Sequence, residues 1–154
     1  GETKIKAYLK MAVQRIQMSN NKRTNSVKVQ KQKISQLLAE HKDEKARIQV
    51  EHIIRDDFTI EGYEVLELMC ELVFERIRQI TTSAKEPPEE LKEAIASLIW
   101  ASKNVDVEEL RNVRQQLKQK YPAEFIKDSE TNENNLVNPR LFAKLTYKPP
   151  SQYL

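Results

Sequence analysis

Two glycines in a chain of 154 residues leave no material for a glycine-rich phosphate loop, which excludes nucleotide-binding sheets of that kind. The one cysteine, Cys70, has no partner in the chain for a disulfide; that fits a reducing compartment, with the cytosol as the default. Apolar runs fall far short of the roughly 18 to 20 residues a membrane span needs, and no secretory-type apolar segment precedes a small-residue cleavage site. A soluble chain is therefore expected. Aromatics are scarce at 6%, prolines number six, and 32% of the residues are charged, a composition for long helices rather than for a sandwich or barrel.

Charge is plentiful and unevenly placed. Residues 1–39 carry nine basic side chains against one acid, Glu2, a net of +8. The whole chain is only +3, so the remainder is −5, and residues 56–93 hold eleven acids and four bases. A basic arm joined to an acidic middle points to an anionic partner or to a like chain as the thing recognised.

Apolar spacing predicts five helices, at about 4–40, 43–83, 88–103, 106–121 and 138–146, in a single domain over 1–154. The first carries Ile5, Leu9, Ala12, Val13, Ile16, Val27, Ile34, Leu37 and Leu38, with a polar lapse between Ser19 and Ser26. At about 1.5 Å per residue it spans roughly 55 Å, so the molecule must be elongated. His41 and Lys42 make a connection short enough to force the second helix, capped by Asp43, to run antiparallel to the first. That second helix is apolar around most of its circumference and needs neighbours on more than one side. Gly62 in its middle marks either a flex point or a close-packing site. Pro87 and Pro88 separate it from the third helix, Asp106 and Glu109 have capping-box spacing for the fourth, and Asn138 with Pro139 starts the fifth. Residues 129–137 read as a loop, and Lys148 to Leu154 as the end of a domain.

Chemistry-bearing residues are few. His41 and His52 fit no zinc spacing and read as a turn residue and a partner for nearby carboxylates. Cys70 reads as a small buried hydrophobe with nothing beside it to activate the thiol. Asp56 and Asp57, adjacent on a helix, diverge by about 100° and cannot share a proton. No catalytic residue, metal or cofactor is expected. Trp100 lies opposite the apolar stripe of its helix, so it is either covered by another helix or open to a partner. The basic face with Lys4, Lys10, Lys22, Lys28 and Lys31 is either a solvated counterweight to the second helix or a surface for anionic membranes. Nucleic acid is disfavoured by the shortage of aromatics interleaved with the bases. The acidic ladder of Glu61, Glu64, Glu71 and Glu75 is a solvated face or the counterpart of a neighbour's basic helix in lateral assembly.

The run KDEKARIQVEHIIRDDFTIEGYEVLELMCEL, with ASLIWAS at 96–102 and LVNPRLFAKL at 136–145, closely resembles the N-terminal core of the increased sodium tolerance family, the ESCRT-III-like regulators of endosomal sorting. The resemblance implies an all-α, elongated ESCRT-III-like bundle: a long helix 1/helix 2 hairpin plus three shorter helices, the fifth folding back on the closed end of the hairpin. It also implies a non-enzymatic regulator of multivesicular body sorting, cytoplasmic and peripheral at the endosomal membrane. The implied partners are sister ESCRT-III subunits, notably the C-terminal helix of the charged multivesicular body protein 1 type, and the disassembly AAA ATPase through a C-terminal tail motif not found in this chain.

Local pattern, not a matched family site, makes Trp100, Arg140, Phe142 and Lys144 the expected partner-binding residues, in a groove between the third and fifth helices. Leu141 and Leu145 are expected to dock the fifth helix near Leu37, Leu38, Ala46 and Val50. The alternative function is a helical peptide-binding adaptor that neither assembles nor touches membrane.

Overall fold

The computed structural model describes residues 1–148, so the expectation for the tail lies, from residue 149 on, outside the described residues. Helices α1 (Glu2–Ala39) and α2 (Asp43–Glu75) form the long antiparallel hairpin. They are joined through His41, whose φ of 60° places it in the left-handed region. The His41 amide donates to the Leu38 carbonyl and the Lys42 amide to the Leu37 carbonyl, closing α1 with a Schellman-type turn. Asp43 is the first helical residue and supplies charge to the first turn, but no side-chain cap forms.

The hairpin interface follows an alternation of three- and four-residue steps. On α1 it runs Leu9, Val13, Ile16, Asn20, Arg23, Val27, Gln30, Ile34 and Leu37; on α2 it runs Ala46, Gln49, Ile53, Asp56, Ile60, Tyr63, Glu67, Cys70 and Phe74, and none of these is exposed. This is the seam of an antiparallel coiled coil with a polar stretch in its middle. Asn20 Nδ2 donates to the Ile60 carbonyl at 3.1 Å, Gln30 Nε2 to Asp56 Oδ2 at 3.2 Å, and the Arg23 guanidinium lies 4.4 Å from the centre of the Tyr63 ring. The polar lapse between Ser19 and Ser26 is therefore seated in the interface through Asn20 and Arg23. Polar seam residues weaken such a pair but specify its register.

Beyond Glu75 the helix breaks at Arg76 and resumes as α3 (Ile77–Thr82), so the continuous helix expected over 43–83 is two pieces. The linker through Pro87 and Pro88 is non-helical, and Lys120 Nζ fastens it by donating to the carbonyls of Thr81 and Ser83 at 3.2 and 3.0 Å. After a 3₁₀ turn at Glu89–Leu91 comes α4 (Lys92–Asn104), in which every residue from Ala94 to Ser102 is buried. It is the central helix, packed against α2, α5 (Glu109–Lys120) and α6 (Ala123–Thr131).

Helix α6 is additional to the five expected. Pro122 ends one helix and opens another, since proline cannot continue a helix yet suits the start of one. Arg114 NH1 and Lys103 Nζ hold α6 through Glu130 Oε2 at 2.8 and 3.5 Å. The chain then reaches α7 (Pro139–Leu145), the fold-back helix.

The capping box expected at Asp106 and Glu109 does not form: α5 opens at Glu109 itself, with Glu108 in the cap position, and Glu109 turns to another helix. Its carboxylate accepts both Arg15 Nε, at 2.6 Å, and Arg15 NH2, at 2.9 Å, tying α5 to α1. This hydrogen bonding holds Glu109 below its ordinary value of 4.5, against the opposing effect of burial. A depressed carboxylate contributes stability that is complete above its unfolded value and is lost as pH falls through the folded one. Denaturant unfolding across the acid range should therefore show stability falling below about pH 4.5, with a shallower fall in Glu109→Gln. An unchanged slope in the variant would assign the acid sensitivity to other carboxylates, such as Glu61.

Candidate partner-binding surface

The most constructed surface is where α7 meets α2 and α4. Asn138 sets its start: the Asn138 amide donates to Ser97 Oγ at 3.0 Å, and Nδ2 donates to Glu93 Oε1 at 2.8 Å. Its Oδ1 accepts the Leu141 amide at 3.0 Å, capping the helix. Leu141 is wholly buried, and Phe142 packs on Trp100 with ring centres 5.3 Å apart. Leu145 lies on Gly62, where a built Cβ would stand 2.5 Å from Leu145 Cδ2 and 3.3 Å from Lys144 Cβ. Gly62 is thus a close-packing notch for α7. Lys144 Nζ reaches Glu61 Oε2 at 2.6 Å and stands 4.2 Å from the Phe58 ring centre, while Tyr147 covers Phe58 at 4.1 Å. The Lys144 ammonium holds Glu61 below the usual carboxylate range.

This arrangement moves several expected residues. The fold-back helix docks at Phe58–Gly62, in the middle of the hairpin, and not near Leu37, Leu38, Ala46 and Val50. Leu38 and Val50 are exposed. The cause is reach: with its start fixed on α4, a seven-residue helix extends about 10 Å, while Gly62 and Ala46 are separated by about 24 Å of α2. Trp100, expected to meet a partner, is only 3% exposed and backs Phe142 from inside the core. Its offset from the stripe misleads because α4 is enclosed on all sides. Lys144 and Glu61, assigned to partner binding and lateral assembly, pair with each other. Glu64, Glu71 and Glu75 are exposed, as are Arg140 and the lysines at 4, 10, 22, 28 and 31.

A second surface escaped the sequence reading: an open groove between α1 and α2, floored by Leu9, Val13 and Phe74 and edged by Lys10, Glu71 and Glu75. Leu68, 59% exposed on α2, lies about one turn before Glu71. Cys70 is enclosed, and burial pushes its thiol up to about 12, so it cannot serve as a nucleophile at neutral pH. Among the described residues no cluster of His, Cys, Asp and Glu has the makings of a metal site, and no helix is long and apolar enough to cross a membrane.

The fold has counterparts in known proteins. The crystal structure of the Saccharomyces cerevisiae Ist1 N-terminal domain in complex with the Did2 MIM motif aligns with a TM-score of 0.87 at 32% identity, covering 98% of this chain and 84% of that one. An IST1-like protein of Dictyostelium discoideum is 39% identical over 147 residues, which is 96% of this chain and 40% of that protein. The vacuolar protein sorting-associated protein IST1 of S. cerevisiae is 36% identical over 131 residues, or 80% of this chain and 44% of that protein. The chain spans less than half the length of the curated relatives it matches. Residues 6–154 match the family model Ist1, described as a regulator of Vps4 activity in the MVB pathway. With an elongated all-helical bundle, a fold-back α7 and the ESCRT-III-like hairpin all in place, the chain belongs to the Ist1 family.

Proposed function

We propose that this chain is a non-enzymatic scaffold of the multivesicular body pathway that binds the amphipathic C-terminal helix of a sister ESCRT-III subunit and thereby influences the disassembly ATPase. The observation that carries it is the match over 98% of the chain to an Ist1 domain captured with a Did2 MIM motif. The accessible surface of α7 offers what recognition of a helix needs, an apolar side chain and a charge. Phe142 is half-buried on its Trp100 backing, and Arg140, two residues earlier, is exposed on the other flank of the helix. Trp100 and Lys144 support this edge from within: one fills the space behind Phe142, the other clamps α7 to Glu61.

Calorimetric titration with the C-terminal helix of a charged multivesicular body protein 1 type subunit tests the assignment. Arg140→Ala and Phe142→Ala should each weaken binding roughly tenfold, the size of an ordinary interface anchor. Parental affinity in both, with loss in Val13→Asp and Phe74→Ala, would place the partner in the α1/α2 groove. The exposed Glu64, Glu71 and Glu75 remain suited to lateral contact with the basic α1 of another subunit, and sedimentation of their lysine variants would report on it.

A further inference from the structure

The joint between the hairpin and α4 carries chemistry that partner binding does not use. Among the serines and threonines of the chain, Ser83 alone has a carboxylate three residues on, at Glu86, and Glu89 and Glu90 follow. Among the described residues, only Ser83 and Thr146 of these hydroxyl side chains lie outside helices. Ser83 ends α3 with extended backbone, at a ψ of 161°, and Ala84, Lys85 and Glu86 after it are exposed. A protein kinase takes its substrate as an extended segment, so this hydroxyl is presented while the helical ones are withheld. Ser83 Oγ donates to the Ile80 carbonyl at 2.8 Å and lies 3.3 Å from the Tyr121 phenol oxygen. That bond belongs to the last turn of a six-residue helix, which opens at low cost. Lys120 Nζ, on the carbonyls of Thr81 and Ser83, sets a positive charge beside the same residue.

We propose that Ser83 is a phosphorylation site for an acid-directed serine kinase, and that Lys120 and Tyr121 at the end of α5 receive the phosphate. In the transfer, Ser83 Oγ forms a bond to the γ-phosphorus of a nucleoside triphosphate as the bond from that phosphorus to the β–γ bridging oxygen breaks. The nucleoside diphosphate leaves, and the hydroxyl proton passes to the kinase's base. Glu86 supplies the carboxylate that the basic side chains of such a kinase pair with at the third position after the serine. The product carries a charge of about −2 and strong acceptor oxygens. It gives up the donor to the Ile80 carbonyl and gains the Lys120 ammonium, which already lies 3.0 Å from the Ser83 carbonyl, and the Tyr121 phenol. Burial holds that phenol above its ordinary value of 10.0, so it keeps its proton as a donor. An open cavity lined by Ile80, Thr81, Gln116 and Lys120 adjoins the site and gives the added group room. The consequence is a tighter latch between the linker and α5, where the hairpin joins the bundle. The site shares no residue with the α7 surface, so it stands apart from the partner-helix reading.

The test treats the folded chain with an acid-directed casein kinase and magnesium ATP and locates phosphate by mass spectrometry. The expected result is a single phosphate on Ser83, none added to Ser83→Ala, and a rate about tenfold lower in Glu86→Gln, the size of one charged hydrogen bond. Glu86 is exposed, so its variant keeps the fold. Amide hydrogen exchange over residues 83–86 should slow about tenfold on phosphorylation, and Lys120→Met should erase that slowing while leaving Ser83 a substrate. No phosphate, phosphate on another residue, or phosphate on Ser83 only after unfolding in urea would overturn the site. Phosphate on Ser83 with faster exchange over 83–86 would overturn the latch and show that the modification prises the linker from α5.

Discussion

Gly62→Val is expected to release α7 from the hairpin and cost about 2 to 3 kcal/mol, the upper part of the range for overpacking. The branched side chain would occupy the space held by Leu145, whose Cγ stands 2.7 Å from the Cβ position. Because glycine is a weaker helix former than valine by roughly a few tenths of a kcal/mol, the substitution should slightly strengthen α2 taken alone. Any net loss therefore measures the docking contact. Hydrogen exchange should become fast over residues 138–147 and stay slow at Leu66, Cys70 and Val73. A helix of seven residues has no stability of its own to keep it ordered once undocked. Retained protection over 138–147 would show that α7 shifts to accommodate the side chain and that the notch does not control docking.

Trp100→Ala should be the more damaging change, at about 3 to 5 kcal/mol, because it empties the centre of the bundle behind Phe142. Urea unfolding followed by circular dichroism gives the number. Titration with the sister helix should show a smaller loss for the molecules that remain folded than Phe142→Ala gives, since the indole faces inward and acts only through Phe142. A loss below about 1 kcal/mol would contradict the packing described here, and a specific loss of affinity without loss of stability would return Trp100 to the binding surface.

What could be read from the residues follows from how local each signal is. The hairpin is announced by a 37-residue stretch without proline or glycine, a two-residue connection and an acidic first turn, all of which act within a few residues. The start of α7 is equally local, since Asn138 and Pro139 form the cap that the spacing predicts. The break at Arg76 is not: neither proline nor glycine marks it, and helical bonding resumes with the Ile80 amide on the Arg76 carbonyl. Helix α6 is hidden because a proline at 122, directly after the helix expected to end at 121, reads as a stop while it also opens the next helix. The polar seam was hidden because Asn20, Arg23 and Gln30 interrupt an apolar pattern, although their three- and four-residue steps continue it. Gly62 had the right two readings, and only the position of Leu145, 83 residues away, decides between them. The same distance effect misplaced the docking site of α7, which depends on where α4 anchors Asn138.

The far half of the hairpin, from Asn20 to Ala39 and back to Asp56, has only Val27, Ala46 and Ile53 buried and nothing packed across it. Mechanically it is a cantilever about 28 Å long, fixed at the bundle and loaded at the tip. A tilt of about 5° at its root would carry the His41 turn through roughly 2.5 Å. The root is where α7 presses on α2, and so the contact at Gly62 sits at the fulcrum.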